Sequence, residues 1–354
     1  MKKIFFLIST ILLFAQELTY INPYDYNLSL EQNYTLEQNT TAEKNETKIE
    51  VEEVVIEENF KTFQPKINIA VLIDKNKFFK FIPSIVNSIN SYFLNKEIQF
   101  NIEVFNIDSN ISKIKEKYND IIVYSLDKNF IKNLDDNKTN FYIPLFNKKD
   151  IDINSTNFYF GGIDYKSQIE KFIEYMDTNE AVAINDNTLL SQKLFKLEKD
   201  FNLSLIKYDF PQIYYKDLNQ SYVFLNIGAG KSAQVLSNIT SKEIETKLIF
   251  APQIDYNPLI IEITQPQDIT KLLIANSILN VPNQIEDTNL NLNSDIKYNW
   301  LNYATNILLN KIYNKYTQND LFYMNDFGLY IFNNQINYKT KLYQIIKGAF
   351  TPIK

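Results

Sequence analysis

From Lys66 onward the chain alternates short, continuous apolar runs with longer stretches in which apolar residues return every three or four positions. Ile67 to Asp74, INIAVLID, is a run of the kind that forms a strand buried on both faces. Ile82 to Leu94 has helical spacing. Ile98 to Ile107 reads as strand, SKIKEKYN as a short helix, Asp120 to Leu126 as strand, FIKNL as a helical turn and Asn140 to Phe146 as strand. Strands alternating with helices predict a parallel sheet with right-handed crossovers.

The pattern then breaks and restarts. In Phe158 to Met176, FYFGGIDYKSQIEKFIEYM, an aromatic strand meets a glycine pair, Gly161 and Gly162, and then an amphipathic helix from Lys166. Glycines between a strand and a helix let the chain turn sharply. We read residues 158–165 as the crossing between two lobes, the alternative being a turn inside one continuous sheet. Beyond it come strand at AVAIND (Ala181 to Asp186), helix at Leu189 to Phe201, strands at SLIKYDF and SYVFLNI, helix at SAQVLSNIT and strand at TKLIFAPQI. Residues 265–293 read as loop-rich with a short strand at KLLIANSIL, and Trp300 to Tyr316 as an amphipathic helix. A hairpin turning at Asp326, Phe327 and Gly328 follows, and KLYQIIKGAFTPI closes the chain. The fold class is α/β with two lobes of parallel sheet flanked by helices.

Composition removes several chemistries. The 354 residues include no cysteine, no histidine and no arginine. The commonest transition-metal ligands, the commonest general base and the thiol nucleophile are therefore missing, and no cofactor or metal is expected. Any catalysis would have to run on carboxylates, lysine, serine or tyrosine, and no acidic pair is singled out by its spacing; the expectation is a non-enzyme. The abundance of Lys, Asn, Ile, Phe and Tyr reads as a base-composition bias, so single asparagines and lysines carry little weight.

At the N-terminus, Lys2 and Lys3 precede a twelve-residue apolar run, Ile4 to Ala15. Spanning a membrane takes about twenty apolar residues, whereas the apolar part of a secretory signal needs roughly seven to fifteen. Residues 1–15 are expected to be a signal peptide, with an uncleaved, anchored form as the alternative, and the periplasm is the expected compartment. Residues 16–64 carry eleven acidic residues against three lysines, while residues 65–354 are neutral in sum. A neutral body with an acidic tail argues against nucleic acid and anionic membrane as partners. The tail is expected to be disordered as far as Lys48, with Ile49 to Phe60 a possible short strand or helix.

Within that tail lies a six-residue repeat: DYNLSL, EQNYTL, EQNTTA, EKNETK. Each unit sets an acid two residues before an asparagine and a hydroxyl residue two after it, at Asn27, Asn33, Asn39 and Asn45. The repeat resembles the acceptor sequence of bacterial periplasmic oligosaccharyltransferases. That resemblance implies N-linked glycan on the four asparagines; the alternative is a duplicated polar spacer. The same pattern recurs singly at Asn110, Asn137, Asn154, Asn202 and Asn219.

The order INIAVLID, strand-helix units, FYFGGIDYKSQIEKF, AVAIND, SYVFLNIGAGKSAQVLSN, TKLIFAPQI, late helix and terminal hairpin resembles the type I periplasmic binding protein fold over residues 65–354. Within it, GLYIFNNQINYKTKLYQIIKGAFTPI is similar to the closing segment of the binding-protein-like domain of penicillin-binding-protein activators. Those activators are lipoproteins with a separate helical repeat domain, and this sequence carries no cysteine for a lipid.

In open α/β sheets, ligands sit beyond the carboxyl ends of strands. This nominates Ser125, Asp127, Asp164, Tyr165, Asp186, Gly228 and Gln253 as cleft residues. Amino-acid-binding members of the resembled fold grip a carboxylate with a hydroxyl-rich loop after the third strand. Here that loop reads SLDKNF, with an aspartate that repels a carboxylate. The segment GAGKS, Gly228 to Ser232, mimics a phosphate loop but has Leu225 where the first glycine is required, so it reads as a strand-to-helix turn with Lys231 in solvent. The expected role is a scaffold or regulator that contacts periplasmic or membrane-anchored envelope proteins, in a peptidoglycan synthase or flagellar-motor-associated complex. A solute-binding receptor of an ABC-type transporter is the alternative, and a small-molecule ligand is left open.

Overall fold

A computed structural model describes residues 66–136 and 138–353. The signal segment, the acidic tail with its four hexad asparagines, and Asn137 lie outside the described residues. Ile67–Lys354 forms a compact unit of its own.

The first series runs β1 (Ile67–Ile73), α1 (Lys75–Phe78), α2 (Ile82–Asn95), β2 (Phe100–Asn106), α3 (Ile111–Lys117), β3 (Asp120–Tyr124), α4 (Lys128–Lys132), β4 (Asn140–Ile143) and β5 (Phe158–Phe160). The second runs α5 (Tyr165–Ile173), β6 (Glu180–Asn185), α6 (Leu189–Asp200), β7 (Ser204–Asp209), β8 (Tyr222–Asn226), α7 (Ala229–Ser241), β9 (Ile249–Ala251), α8 (Pro258–Ile263) and β10 (Leu272–Asn276). The chain then returns through α9 (Asn283–Asn291), α10 (Trp300–Thr317), β11 (Tyr323–Met324), β12 (Leu329–Phe332) and β13 (Gln335–Ile336), and ends in β14 (Lys341–Ile346) and β15 (Ala349–Pro352).

Two sheets result, ordered β11-β12-β13-β5-β4-β3-β1-β2 and β15-β14-β10-β9-β8-β6-β7. Both are parallel in the middle, and the late hairpins add antiparallel strands at one edge of each. The backbone passes between lobes three times: after β5, after β10 and after β13.

Strand periodicity explains the layers. In β1, Ile67, Ile69, Val71 and Ile73 face a core shared with α2 and α10, while Ala70 and Leu72 face the opposite core with Ile114 and Ile131. In β6, Val182 and Ile184 face Val235, Leu236 and Ile260, whereas Ala181 and Ala183 leave room for Phe172, Phe224 and Phe250 on the other side. Burying both faces of a strand is what a continuous apolar run requires.

Two elements differ from the reading of the sequence. Residues 265–293 contain the helix α9, whose buried Ile285 and Asn289 are too sparse to announce it. The helix α10 is not amphipathic but buried on nearly every side. Its polar stripe, Asn302, Asn306, Asn310 and Asn314, packs inward. Asn302 Nδ2 donates to Ser84 Oγ at 2.8 Å and Asn306 Nδ2 to Ser88 Oγ at 2.6 Å, tying α10 to α2.

The glycine pair serves a different purpose from the one expected of it. Neither Gly161 nor Gly162 has a positive φ. A Cβ on Gly162 would instead stand 2.2 Å from the carbonyl carbon of Phe146 and 2.4 Å from Asn147 N. The crossing runs backbone against backbone, with Gly162 N donating to Phe146 O at 2.9 Å.

Candidate functional site

The carboxyl ends of the parallel strands carry the residues nominated by the sequence, and the local fold decides what each can offer. Ser125, directly after β3, is fully buried, and its Oγ accepts from Asp127 N at 3.0 Å. Asp127 caps α4, accepting from Asn129 N at 2.8 Å and Phe130 N at 3.2 Å. These satisfy amide groups that a helix start leaves open.

Asp164 caps α5 and meets Lys149 Nζ at 2.7 Å. Burial opposes its ionisation, but the hydrogen bond and charge of Lys149 outweigh it and hold the carboxyl below its ordinary range. Tyr165 lies half-buried beside it with Lys193 Nζ 5.4 Å from its ring centroid, and burial pushes its hydroxyl pKa up. Lys193, on α6 in the second lobe, reaches Asp150 in the first at 2.6 Å.

In the second lobe, Asp186 accepts from Thr188 N at 3.0 Å, Thr188 Oγ1 at 2.6 Å and Lys231 Nζ at 2.6 Å. Burial again works against the charge, yet the bonds from Lys231 and Thr188 keep the acid below its ordinary pKa. Lys231 is exposed, as expected, and from there it partners Asp186. Gly228 is the N-cap of α7 and offers only backbone. Gln253 is buried, with Nε2 donating to Asn276 Oδ1 at 2.8 Å and Oε1 accepting from Ser277 N at 2.6 Å.

No hydrogen bond or ion pair among the described residues joins the Ser125–Asp127 turn to Asp186, Gly228 or Gln253. The apolar residues beside these strand ends are more open. Phe79, after β1, is 75% exposed, and Phe81, Leu126, Ile254 and Leu259 are also exposed. Nothing in the sequence pattern singled them out, because an isolated apolar residue in a turn has no period. Among the described residues no group of acidic side chains is arranged to hold a metal.

A second buried polar cluster lies at the ends of β6 and β8. Asn226 Nδ2 donates to Asn185 Oδ1 at 3.1 Å and to Glu198 Oε2 at 3.0 Å, while Glu198 Oε1 has no partner among the described residues. Burial pushes the Glu198 carboxyl up to about 8, only partly offset by Asn226. Nothing in the residue pattern points to it, since Glu198 sits in a lysine-rich helix, LLSQKLFKLEKD, of the kind that faces solvent.

The asparagines of the extended pattern inside the described residues all lie at the surface: Asn110, Asn154, Asn202 and Asn219. Asn110 caps α3, and Asn202 follows α6 with φ +59°. Asn219 Oδ1 accepts from Glu245 N at 3.2 Å.

No protein-family model matches the chain, and no curated protein matches it in sequence. Solved structures do match in fold. A branched chain amino acid ABC transporter protein from Thermus thermophilus with bound valine is 12% identical with a TM-score of 0.58, covering 82% of this chain and 96% of that one. An extracellular ligand-binding receptor from Verminephrobacter eiseniae is 8% identical with a TM-score of 0.60, covering 81% of this chain and 100% of that one. Haemophilus influenzae LpoA is 12% identical with a TM-score of 0.53, covering 82% of this chain and 59% of that one. The fold is the two-lobe α/β architecture of type I periplasmic binding proteins.

Proposed function

We propose that this chain is a non-catalytic periplasmic glycoprotein that acts by contact, as a scaffold or regulator in a cell-envelope assembly such as a peptidoglycan synthase or flagellar-motor-associated complex. The observation that carries the reading is the state of the strand-end side chains. Ser125, Asp127, Asp164, Asp186 and Gln253 are each committed to their own backbone or to an internal partner. A solute would have to break those bonds, and a buried donor or acceptor left unpaired costs about 1–3 kcal/mol. Exposed Phe79, Phe81, Ile254 and Leu259 stand beside them, and aromatic and aliphatic side chains supply the anchors of protein interfaces.

The periplasmic setting rests on the N-terminal segment and on the fold. No helix of the described residues is long and apolar enough to cross a membrane. Glycan on Asn27, Asn33, Asn39 and Asn45 belongs to the same reading, with Asn110, Asn154, Asn202 and Asn219 open to modification in the body.

The solute-receptor reading has the structural neighbours in its favour, one of which holds valine. Crosslinking in cells followed by mass spectrometry tests the first reading: envelope proteins joined through peptides containing Phe79 or Leu259 support it. A thermal shift of several degrees with valine, leucine or isoleucine, lost on Asp127→Ala or Asp186→Ala, replaces it with the second.

A further inference from the structure

Beside the first crossing lies a cavity of about 450 Å³ that contains none of the second lobe's strand-end residues. Its walls come from the turn after β4, the start of α5 and the β12–β13 hairpin. This volume falls in the range of small-ligand sites, roughly 300–1,000 Å³.

The walls are set by hydrogen bonds before any ligand arrives. Lys148 N donates to Gln335 Oε1 at 2.8 Å, Gln335 Nε2 to Gly162 O at 3.3 Å and Tyr338 Oη to Gly161 O at 2.9 Å. Lys149 is paired with Asp164 at 2.7 Å, while Lys148 keeps its charge and donates from Nζ to the neutral acceptors Asn333 Oδ1 at 2.8 Å and Asn333 O at 3.1 Å. A strong anion would meet Asp164, and a cation would meet the lysines.

Two groups remain available. Phe332 is 77% exposed and stacks on no other ring, and the Asn337 side-chain amide makes no hydrogen bond among the described residues. An open aromatic face next to an unpaired amide and a neutralised ion pair suits a ligand with one apolar C–H face and an edge of hydroxyl groups. The ring's negative face attracts the slightly positive C–H hydrogens. The amide can donate to and accept from the same hydroxyl edge.

We infer that this cavity binds a short neutral oligosaccharide, stacked on Phe332 and hydrogen-bonded by Asn337, with the Lys149–Asp164 pair left intact beside it. The inference is independent of whether the strand-end cleft serves a scaffold or a receptor.

The test is a titration of the purified chain with chitotetraose, cellotetraose and adenosine, followed by saturation-transfer NMR and calorimetry, on wild type and on Phe332→Ala, Asn337→Ala and Phe322→Ala. Phe322 is a control ring, 65% exposed and outside the cavity. At least one saccharide is expected to bind, with affinity falling about tenfold on Phe332→Ala, the upper range for one aromatic stacking contact. Weakening on Asn337→Ala and no change on Phe322→Ala are expected with it. Binding of chitotetraose alone assigns the site to acetamido sugars, and binding of both assigns it to the shared pyranose face. No saccharide binding, binding equal in Phe332→Ala, or binding of adenosine in their place overturns the inference.

Discussion

Glu198 makes the second lobe sensitive to pH in a way that is open to direct measurement. Its carboxyl is buried, one oxygen bonded to Asn226 Nδ2 and the other without a partner among the described residues, and burial pushes its pKa up to about 8 from an ordinary 4.5. A raised acid pKa means that the folded state holds a proton which the unfolded state releases. The contribution to stability is fully present below about pH 4.5 and is lost as pH rises to about 8. At about 1.4 kcal/mol per pH unit, that window corresponds to a loss of roughly 5 kcal/mol as an upper bound. Asp255 is also buried, and burial raises its carboxyl in the same direction, offset only in part by Ser232, so it adds to the slope. Glu198→Gln keeps an oxygen for Asn226 and removes the titration. Urea unfolding at about pH 5 and about pH 8 is the assay. The variant should match wild type within about 1 kcal/mol at the lower pH and exceed it by about 3–5 kcal/mol at the higher one. Parallel curves for the two proteins across that window would refute the reasoning.

Gly162→Ala should destabilise by about 3 kcal/mol or more, because a Cβ there meets the backbone of Phe146 and Asn147. Gly161→Ala, whose Cβ would meet the movable Leu308 Cδ1 at 3.1 Å, should cost less, and thermal melts separate the two. Asn302→Ala should cost about 1–3 kcal/mol by denaturant unfolding, since Asp295 O, Ser84 Oγ and Ser294 Oγ each lose its amide. Glu31→Gln, Glu37→Gln and Glu43→Gln together should lower glycan occupancy on Asn33, Asn39 and Asn45 in a host with the extended-pattern enzyme; unchanged intact mass spectra would rule out a role for the acid.

The strands and most helices were legible because burial on both faces leaves continuous apolar runs and burial on one leaves a helical period. INIAVLID and AVAIND are β1 and β6 with little displacement. What was not legible had no period to show. The helix α10 looked amphipathic because its asparagines recur every four residues, and that recurrence was discounted as composition. In the structure the stripe is a buried ladder, so the repeat of asparagine at one helical face was the usable signal. The candidate site was legible only as positions in the chain. The sequence placed Asp127, Asp164 and Asp186 at strand ends, but capping is decided by the backbone amides that follow, and the partners Lys149 and Lys231 lie 15 and 45 residues away. The cavity at Phe332 depends on a hairpin folding back over the first crossing, a contact between residues 187 apart, as in Lys148 N to Gln335.

The three crossings bear on which function the fold serves. Gln168 near the first crossing donates from Nε2 to Ser277 Oγ on the second, and its Oε1 accepts from Gln253 N. Ser277 Oγ in turn lies 3.1 Å from Thr340 Oγ1 on the third, and Tyr338 Oη returns to Gly161 O on the first. Asn276 is held by Gln253 and Ile278. These bonds tie the crossing segments to one another, while Lys193 Nζ meets Asp150 across the lobes at 2.6 Å, an ion pair that rotating one lobe against the other would break. A receptor that closes on its ligand must recover that cost from differential contacts in the closed state. The strand-end side chains here are already spent, so little is left to supply it. A body with fixed lobes loses nothing by such a lattice, and it presents Phe79, Phe81, Ile254 and Leu259 to a partner in one arrangement, which limits the ordering cost of association.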